Sequence, residues 1–219
     1  GVAAILMSVK SNAKQIFKRK LFITLVGDEE VAQGGSKYLI ENKRELFNDV
    51  RYGLIADSDY SIAIGQKGIL HVKFIFKGKA AHGSKPEDGI NAIVKATNFI
   101  NGLSKLQNNI KRHKDTMLGY GTMNVGKIIG GTKVNIVPDK CEVEIDRRLT
   151  WGEIPSSALN QFKNVLRKLD IKAEIKLLNE PRLAVRILVN SKLIEILKDI
   201  DNKLEIDAKA GYTEMELYI

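Results

Sequence analysis

Gly68-Ile69-Leu70-His71-Val72-Lys73-Phe74-Ile75-Phe76-Lys77 is the stretch that decides the fold. Leu70, Val72, Phe74 and Phe76 alternate with His71, Lys73, Ile75 and Lys77. That period of two predicts a half-exposed strand with one face in a core. Downstream, Ala80 to Gly89 reads as a loop and Ile90 to Leu106 as a helix. Gly119 to Gly126 and Val134 to Leu149 read as strands, Pro155 to Leu169 as a helix and Ile171 to Leu177 as a strand.

The resulting order, β-α-β-β-α-β, is the ferredoxin-like plan. It occupies residues 68–178 and reads as an insertion. Upstream, Val2 to Ile16 has helical spacing, and Leu21 to Val26 is an apolar run fit for a strand buried on both faces. A helix is expected at Ser36 to Asn42 and a second buried strand at Tyr52 to Ala56. Strand, helix, strand in that order predicts a parallel α/β sheet. After the insertion, Ala184 to Leu197 reads as a helix, and Glu205 to Ala208 as a strand rejoining the first sheet. The expected fold class is therefore α/β. A partial mixed or parallel sheet domain, residues 1–67 and 179–219, carries an inserted ferredoxin-like domain at 68–178.

Composition narrows the class. In 219 residues the apolar fraction is 44% and the charged fraction 28%, which suits a globular chain and excludes a disordered or collagenous one. The single cysteine, Cys141, cannot form an internal bridge, so a reducing, cytoplasmic setting is expected. No apolar run approaches the length of a membrane span. The net charge of +9 raises the question of nucleic acid. The densest basic patches, Lys18-Arg19-Lys20 and Lys111-Arg112-His113-Lys114, carry no interleaved aromatics. They read as basic surface, with neither nucleic acid nor membrane as partner. The chain opens in a helical pattern at Gly1-Val2-Ala3-Ala4 and closes at Glu216-Leu217-Tyr218-Ile219 without a polar cap, so both ends read as cut.

Gly27-Asp28-Glu29-Glu30 is the sharpest local feature. Three adjacent carboxylates at the carboxyl end of an expected strand lie where open α/β sheets bind ligands. A cation or a retained proton would relieve their repulsion. A solvated turn that charges the next helix N-terminus favourably is the other reading. Asp57 and Asp59 end the next expected strand, as metal ligands or as turn caps. His82 lies in the Gly- and Pro-punctuated loop Ala80 to Pro86, either exposed or a proton donor. His71 and His113 show no ligand spacing and read as surface. Gly130-Gly131-Thr132-Lys133-Val134-Asn135 reads as a tight turn into a strand that ends at Asp146-Arg147-Arg148. An arginine there either forks onto a substrate carboxylate or makes a surface ion pair.

Taken together and in order, these pieces resemble the zinc-dependent amidohydrolases and peptidases. That family includes acetylornithine deacetylase, succinyl-diaminopimelate desuccinylase, aminoacylase and the glutamate-releasing carboxypeptidase. Gly27-Asp28-Glu29-Glu30 with Gly34-Gly35 resembles the general-base and metal-ligand motif, and Asp57-Ser58 the next ligand position. Gly65-Gln66-Lys67-Gly68 resembles the entry to the lid, and Gly78 to Pro86 with Gly89, Asn91 and Ala92 its His motif. Gly130-Gly131 through Asn135 and Pro138, then Ile145-Asp146-Arg147-Arg148, resemble the rest of the lid. Gly211-Tyr212-Thr213-Glu214 is similar to a segment near the family's C-terminus.

The resemblance implies Glu29 as general base, Glu30 and Asp57 as metal ligands, and His82, acting from a partner's lid, as oxyanion stabiliser. Asn135 and Arg148 would bind substrate, with Asp59 and Arg147 as the competing choices for Asp57 and Arg148. It implies two zinc ions per full-length chain, cobalt as a substitute, and a homodimer formed through the lid. In the family a His and a bridging Asp ligand precede the point where this chain begins, and another His lies beyond Ile219. The 219 residues alone are therefore expected to be inactive. The expected function is hydrolysis of an N-acyl or peptide amide beside a carboxylate, first as an amino-acid deacylase. A carboxypeptidase or dipeptidase, or a non-catalytic dimerising fragment, are the alternatives.

Overall fold

The computed structural model describes residues 1–14, 20–29, 33–56 and 60–218. The elements begin with α1 (Val2–Asn12), α2 (Gly34–Asn42), β1 (Ser61–Gln66), β2 (Gly68–Lys77) and α3 (Ala92–Ile110). Next come β3 (Lys114–Asp115), β4 (Gly119–Tyr120), β5 (Thr122–Gly130), β6 (Lys140–Leu149) and α4 (Pro155–Lys168). The last are β7 (Glu174–Leu177), β8 (Val185–Arg186), α5 (Lys192–Ile200) and β9 (Glu205–Lys209). The chain is α/β with open sheets and divides into two compact units.

One unit holds Gly65–Arg186 and Ala208–Tyr212. Its main sheet runs β5-β6-β2-β7 with antiparallel neighbours, and with α3 and α4 it completes the ferredoxin-like plan. The alternation read in β2 is the packing: Leu70, Val72, Phe74 and Phe76 are all buried. From β6, Cys141, Val143, Ile145 and Leu149 join the same core. α3 adds Ala96, Phe99, Leu103, Leu106 and Ile110 at spacings of three and four, the stripe an amphipathic helix presents. Asn91 caps α3, its side chain accepting from Ile93 N at 2.9 Å and Val94 N at 3.1 Å. Phe74 lies 4.7 Å from Phe99 and 5.4 Å from Phe162 between ring centroids, so one strand residue joins both helices. The opposite face of the sheet is charged. Lys73 pairs with Glu142 at 3.0 Å and Glu144 at 3.1 Å, and hydrogen bonds from Lys140 and Lys73 bring the Glu142 carboxyl down to about 2.

Arg147 points to the core side of β6 and is wholly buried. It is ion-paired with Glu153, and its Nη1 donates to Thr122 O at 3.4 Å. Glu153 Oε2 in turn accepts from Thr150 N at 2.9 Å, which closes the turn after β6. Removing one member of such a pair strands a charge. Arg147→Ala is therefore expected to cost about 3–5 kcal/mol in urea unfolding, with most of the loss recovered in Arg147→Met/Glu153→Gln. A loss below about 1 kcal/mol for the single change would contradict the assignment.

The other unit holds Gly1–Ile64, Ile187–Asp207 and Thr213–Ile219. α2 falls where helical spacing places it; α1 ends at Asn12, and residues 15 and 16 of the helix expected over Val2 to Ile16 lie outside the described residues. β9 is a strand as expected at 205–208, but it joins the sheet β8-β1-β9 rather than one built on Leu21 to Val26 and Tyr52 to Ala56. Three other expectations change. Leu21 to Val26 and Tyr52 to Ala56 are not strands; Leu25 is 53% and Leu54 68% exposed. An apolar run favours burial but supplies no ladder partner, and no described segment pairs with either run. The helix expected at 184–197 is instead β8 followed by α5, because Val185 and Arg186 pair antiparallel with Gln66 and Gly65. The long strand begins at Lys140 rather than Val134, since Gly131 at φ 79° and Pro138 keep 131–139 as a loop. Among the described residues no helix is long and apolar enough to cross a membrane.

Candidate active site

The described part of the acidic segment, Gly27 to Glu29, leads into a turn. Asp28 takes φ 67°, and its carbonyl accepts from Gln33 N at 2.7 Å. Asp28 Oδ2 accepts from Gly34 N at 3.3 Å, at the start of α2, where a negative charge is favoured. Gly35 lies so close that a Cβ there would meet Gly27 O at 2.8 Å, so the turn requires glycine at that position. Glu29 sits half-buried within this turn. Glu30, Asp57 and Asp59 lie outside the described residues. Two residues beyond Gly34, Ser36 is buried; its Oγ donates to Glu214 Oε1 at 2.7 Å and accepts from Tyr218 Oη at 2.9 Å. Glu214 belongs to a sequence motif that gives it no role, and Ser36 carries no motif signal, because 178 residues separate the two partners.

In the other unit, two loops meet. Gly83 N donates to Asn135 O at 2.8 Å, Val137 N donates to Ala81 O at 2.9 Å, and His82 opposes Ile136. This brings His82 beside Asn135. Gly83 backs onto Asn135 so closely that a Cβ would meet its backbone at 3.0 Å. His82 is exposed, and its Nδ1 accepts from Ser84 N at 3.2 Å. With Nδ1 as acceptor, a neutral ring carries its proton on Nε2, as a hydrogen-bond donor. An open groove of about 580 Å³ adjoins these loops, lined by Gly83, Pro86 and residues 130–134.

Arg148 is elsewhere. It stands eight positions along β6 from Lys140, about 26 Å at about 3.3 Å per residue. Its neighbours are Ile69 and Thr122, at the end where Gly68 opposes Leu149. Unlike buried Arg147, it is half-exposed. This end is cationic: Lys67 Nζ donates to Tyr120 O at 2.8 Å, and burial, then Arg147 and Arg148, lower the Lys67 pKa from its ordinary value. Within one chain, therefore, Arg148 is not brought together with His82 and Asn135. His113, as expected, is exposed, its Nε2 facing Trp151 O at 3.1 Å. His71, read as surface, instead faces Asp146. Among the described residues no three His, Cys, Asp or Glu side chains group to hold a metal.

Residues 64–174, just over half of the chain, match the peptidase dimerisation domain of the M20 peptidases. The chain belongs to the M20 peptidase family. The M20 match covers both the His82–Asn135 loops and Arg148. Among curated relatives, acetylornithine deacetylase of Myxococcus xanthus is 28% identical over 174 residues, covering 77% of this chain and 44% of the relative. The uncharacterized protein YgeY of Escherichia coli K12 is 33% identical over 126 residues, covering 57% of this chain and 31% of YgeY. The chain thus spans less than half the length of these relatives. Among solved structures, aminopeptidase PepT from Bacillus cereus superposes with a TM-score of 0.70 at 22% identity, over 87% of this chain and 50% of that one. The M20 metallo-carboxypeptidase Sso-CP2 from Sulfolobus solfataricus gives 0.64 at 19%, over 88% and 58%. Both likenesses are of fold.

Proposed function

We propose that these residues carry the general-base turn and the dimerising lid of an M20 metal-dependent hydrolase that cleaves an N-acyl or peptide amide beside a carboxylate. An amino-acid deacylase is the preferred form. The observation that carries this is the His82–Asn135 juxtaposition inside the matched region, together with similarity to acetylornithine deacetylase over 174 residues.

Glu29 takes a proton from the attacking water and passes it to the leaving amine. His82 donates from Nε2 to the oxyanion that forms on the amide carbonyl. Asn135 and Arg148 hold the substrate's carboxylate or acyl end, Arg148 through a two-point fork. Residues 68–178 form the lid. In this reading His82 and Asn135 act from a partner's lid; it is supported by Arg148 standing eight residues along β6 from Lys140, at the end of the strand away from the His82–Asn135 loops. That requires a homodimer.

Glu30 and Asp57 are the chain's own candidate ligands; oxygen donors of this type suit zinc, with cobalt as a substitute, at two ions per chain of the relatives' length. Bound metal supplies Lewis acidity toward the carbonyl and the attacking water. Cys141 is buried, and burial, then Glu142, raises its thiol pKa, so it is inert and suits a reducing cytoplasm.

The test is elemental analysis and hydrolysis by a chain of the relatives' length that contains these residues. About two zinc per chain and turnover of N-acetyl or N-succinyl amino acids are expected. Turnover of dipeptides alone would make it a peptidase; no metal and no turnover would leave a dimerising scaffold and overturn the reading.

A further inference from the structure

Arg148 is braced by a line of polar side chains on the open face of the lid sheet. Asp146 lies two residues before it on β6, hence on the same face. Arg148 Nε donates to Asp146 Oδ1 at 2.9 Å and Oδ2 at 3.1 Å, and Nη2 donates to Oδ2 at 3.1 Å. These bonds use one edge of the guanidinium. Of its five N–H donors, those on the Nη1 side are not taken by Asp146 and form the second fork.

The brace continues across the sheet. His71 is the direct register partner of Asp146, and its Nε2 lies 3.4 Å from Asp146 Oδ1. The Asn179 amide Nδ2 lies 2.8 Å from His71 Nδ1. An amide N–H can only donate, so Nδ1 accepts, and the proton of a neutral ring sits on Nε2, facing Asp146. Asn179 is held near by Leu178 N, which donates to His71 O at 3.0 Å. The line Asn179–His71–Asp146–Arg148 thus crosses from the segment after β7, through β2, to β6.

We propose that Asn179, His71 and Asp146 are positioning residues that aim the second fork of Arg148 at an anionic group of the substrate. The proposal rests on Arg148 binding that group, as argued under Proposed function. The physical gain is pre-organisation. A half-exposed arginine that swings on its stem must be ordered at each binding event, whereas one held by a carboxylate is ordered beforehand; the expected benefit is about three- to tenfold in affinity. An isolated surface pair would contribute little, but here Asp146, which holds Arg148, also faces His71 at 3.4 Å, and His71 is hydrogen-bonded to Asn179.

Two measurements test this. In a chain of the relatives' length, Asp146→Asn should raise KM for an N-acyl amino acid about tenfold with kcat within about twofold. His71→Phe should raise KM about threefold, and His71→Gln, which keeps an N–H donor, should restore it. Arg148→Ala should raise KM further, and Asp146→Asn should then add nothing. An undiminished Asp146→Asn effect in the Arg148→Ala background would overturn the relay. Separately, the Arg148 Nε–H signal in 15N NMR of the 219-residue chain should exchange with water faster in Asp146→Asn and His71→Phe. No change there would also overturn the relay, without reference to activity. A changed signal with KM unmoved by Arg148→Ala would remove Arg148 from substrate binding and overturn the aiming role, tracing the failure to the functional reading.

Discussion

Glu29→Gln, in a chain of the relatives' length, is expected to keep its metal and to lose about two to four orders of magnitude in kcat. The change removes a proton acceptor while keeping size and shape. The turn that holds residue 29 is built from other groups: the Asp28 carbonyl on Gln33 N, the Asp28 carboxylate on Gly34 N, and the close approach of Gly35 to Gly27. With equal folding checked by thermal melting, the loss should fall on the chemical step with KM little altered. Glu30→Gln should behave differently, losing metal affinity first. Metal content by elemental analysis, read beside kcat, separates the two. Equal metal loss in both variants would mean that the base and ligand roles are wrongly divided.

His82→Ala should lower kcat about 10²- to 10³-fold, the usual cost of losing one oxyanion donor. Its position explains why so exposed a side chain can matter. Ser84 N fixes Nδ1, so the donor Nε2 is presented outward, and the pairing of residues 81–83 with 135–137 holds the loop against Asn135. A histidine that only decorated the surface would change activity by less than about twofold on removal. Asparagine or glutamine at position 82 keeps an N–H donor and should recover part of the loss, which alanine cannot. Steady-state kinetics of the three variants, with thermal melting to confirm equal folding, checks this.

How far the chain could be read from its sequence varies with how local the deciding physics is. The β2 pattern was legible because Leu70, Val72, Phe74 and Phe76 all enter one core, and period two records that directly. The stripe of α3 and its Asn91 cap are equally local. The run Val134-Asn135-Ile136-Val137 alternates as a strand would, yet it is loop, because pairing with residues 81–83 and the flanking Gly131 and Pro138 decide its path. Leu21 to Val26 is apolar enough for a buried strand, but ladder partners are not written in the run itself. In the candidate site, His82, Asn135 and Arg148 could be named from motifs. That two of them meet while the third lies at the far end of β6 could not. His71 reads as surface because its partners lie far away in the chain, Asp146 on β6 and Asn179, 108 residues on, in the segment after β7.

The central claim is that each site draws its base from one chain and its oxyanion donor from another. The direct measurement mixes equal amounts of a Glu29→Gln chain and a His82→Ala chain, each of the relatives' length, and follows activity through subunit exchange. If His82 acts across the dimer, half of the dimers are mixed and each mixed dimer has one intact site. Activity should then rise from near zero to about a quarter of the unmodified enzyme. If His82 served its own chain's Glu29, every mixed dimer would lack one of the two groups at both sites. No recovery after mass spectrometry confirms exchange would contradict the account.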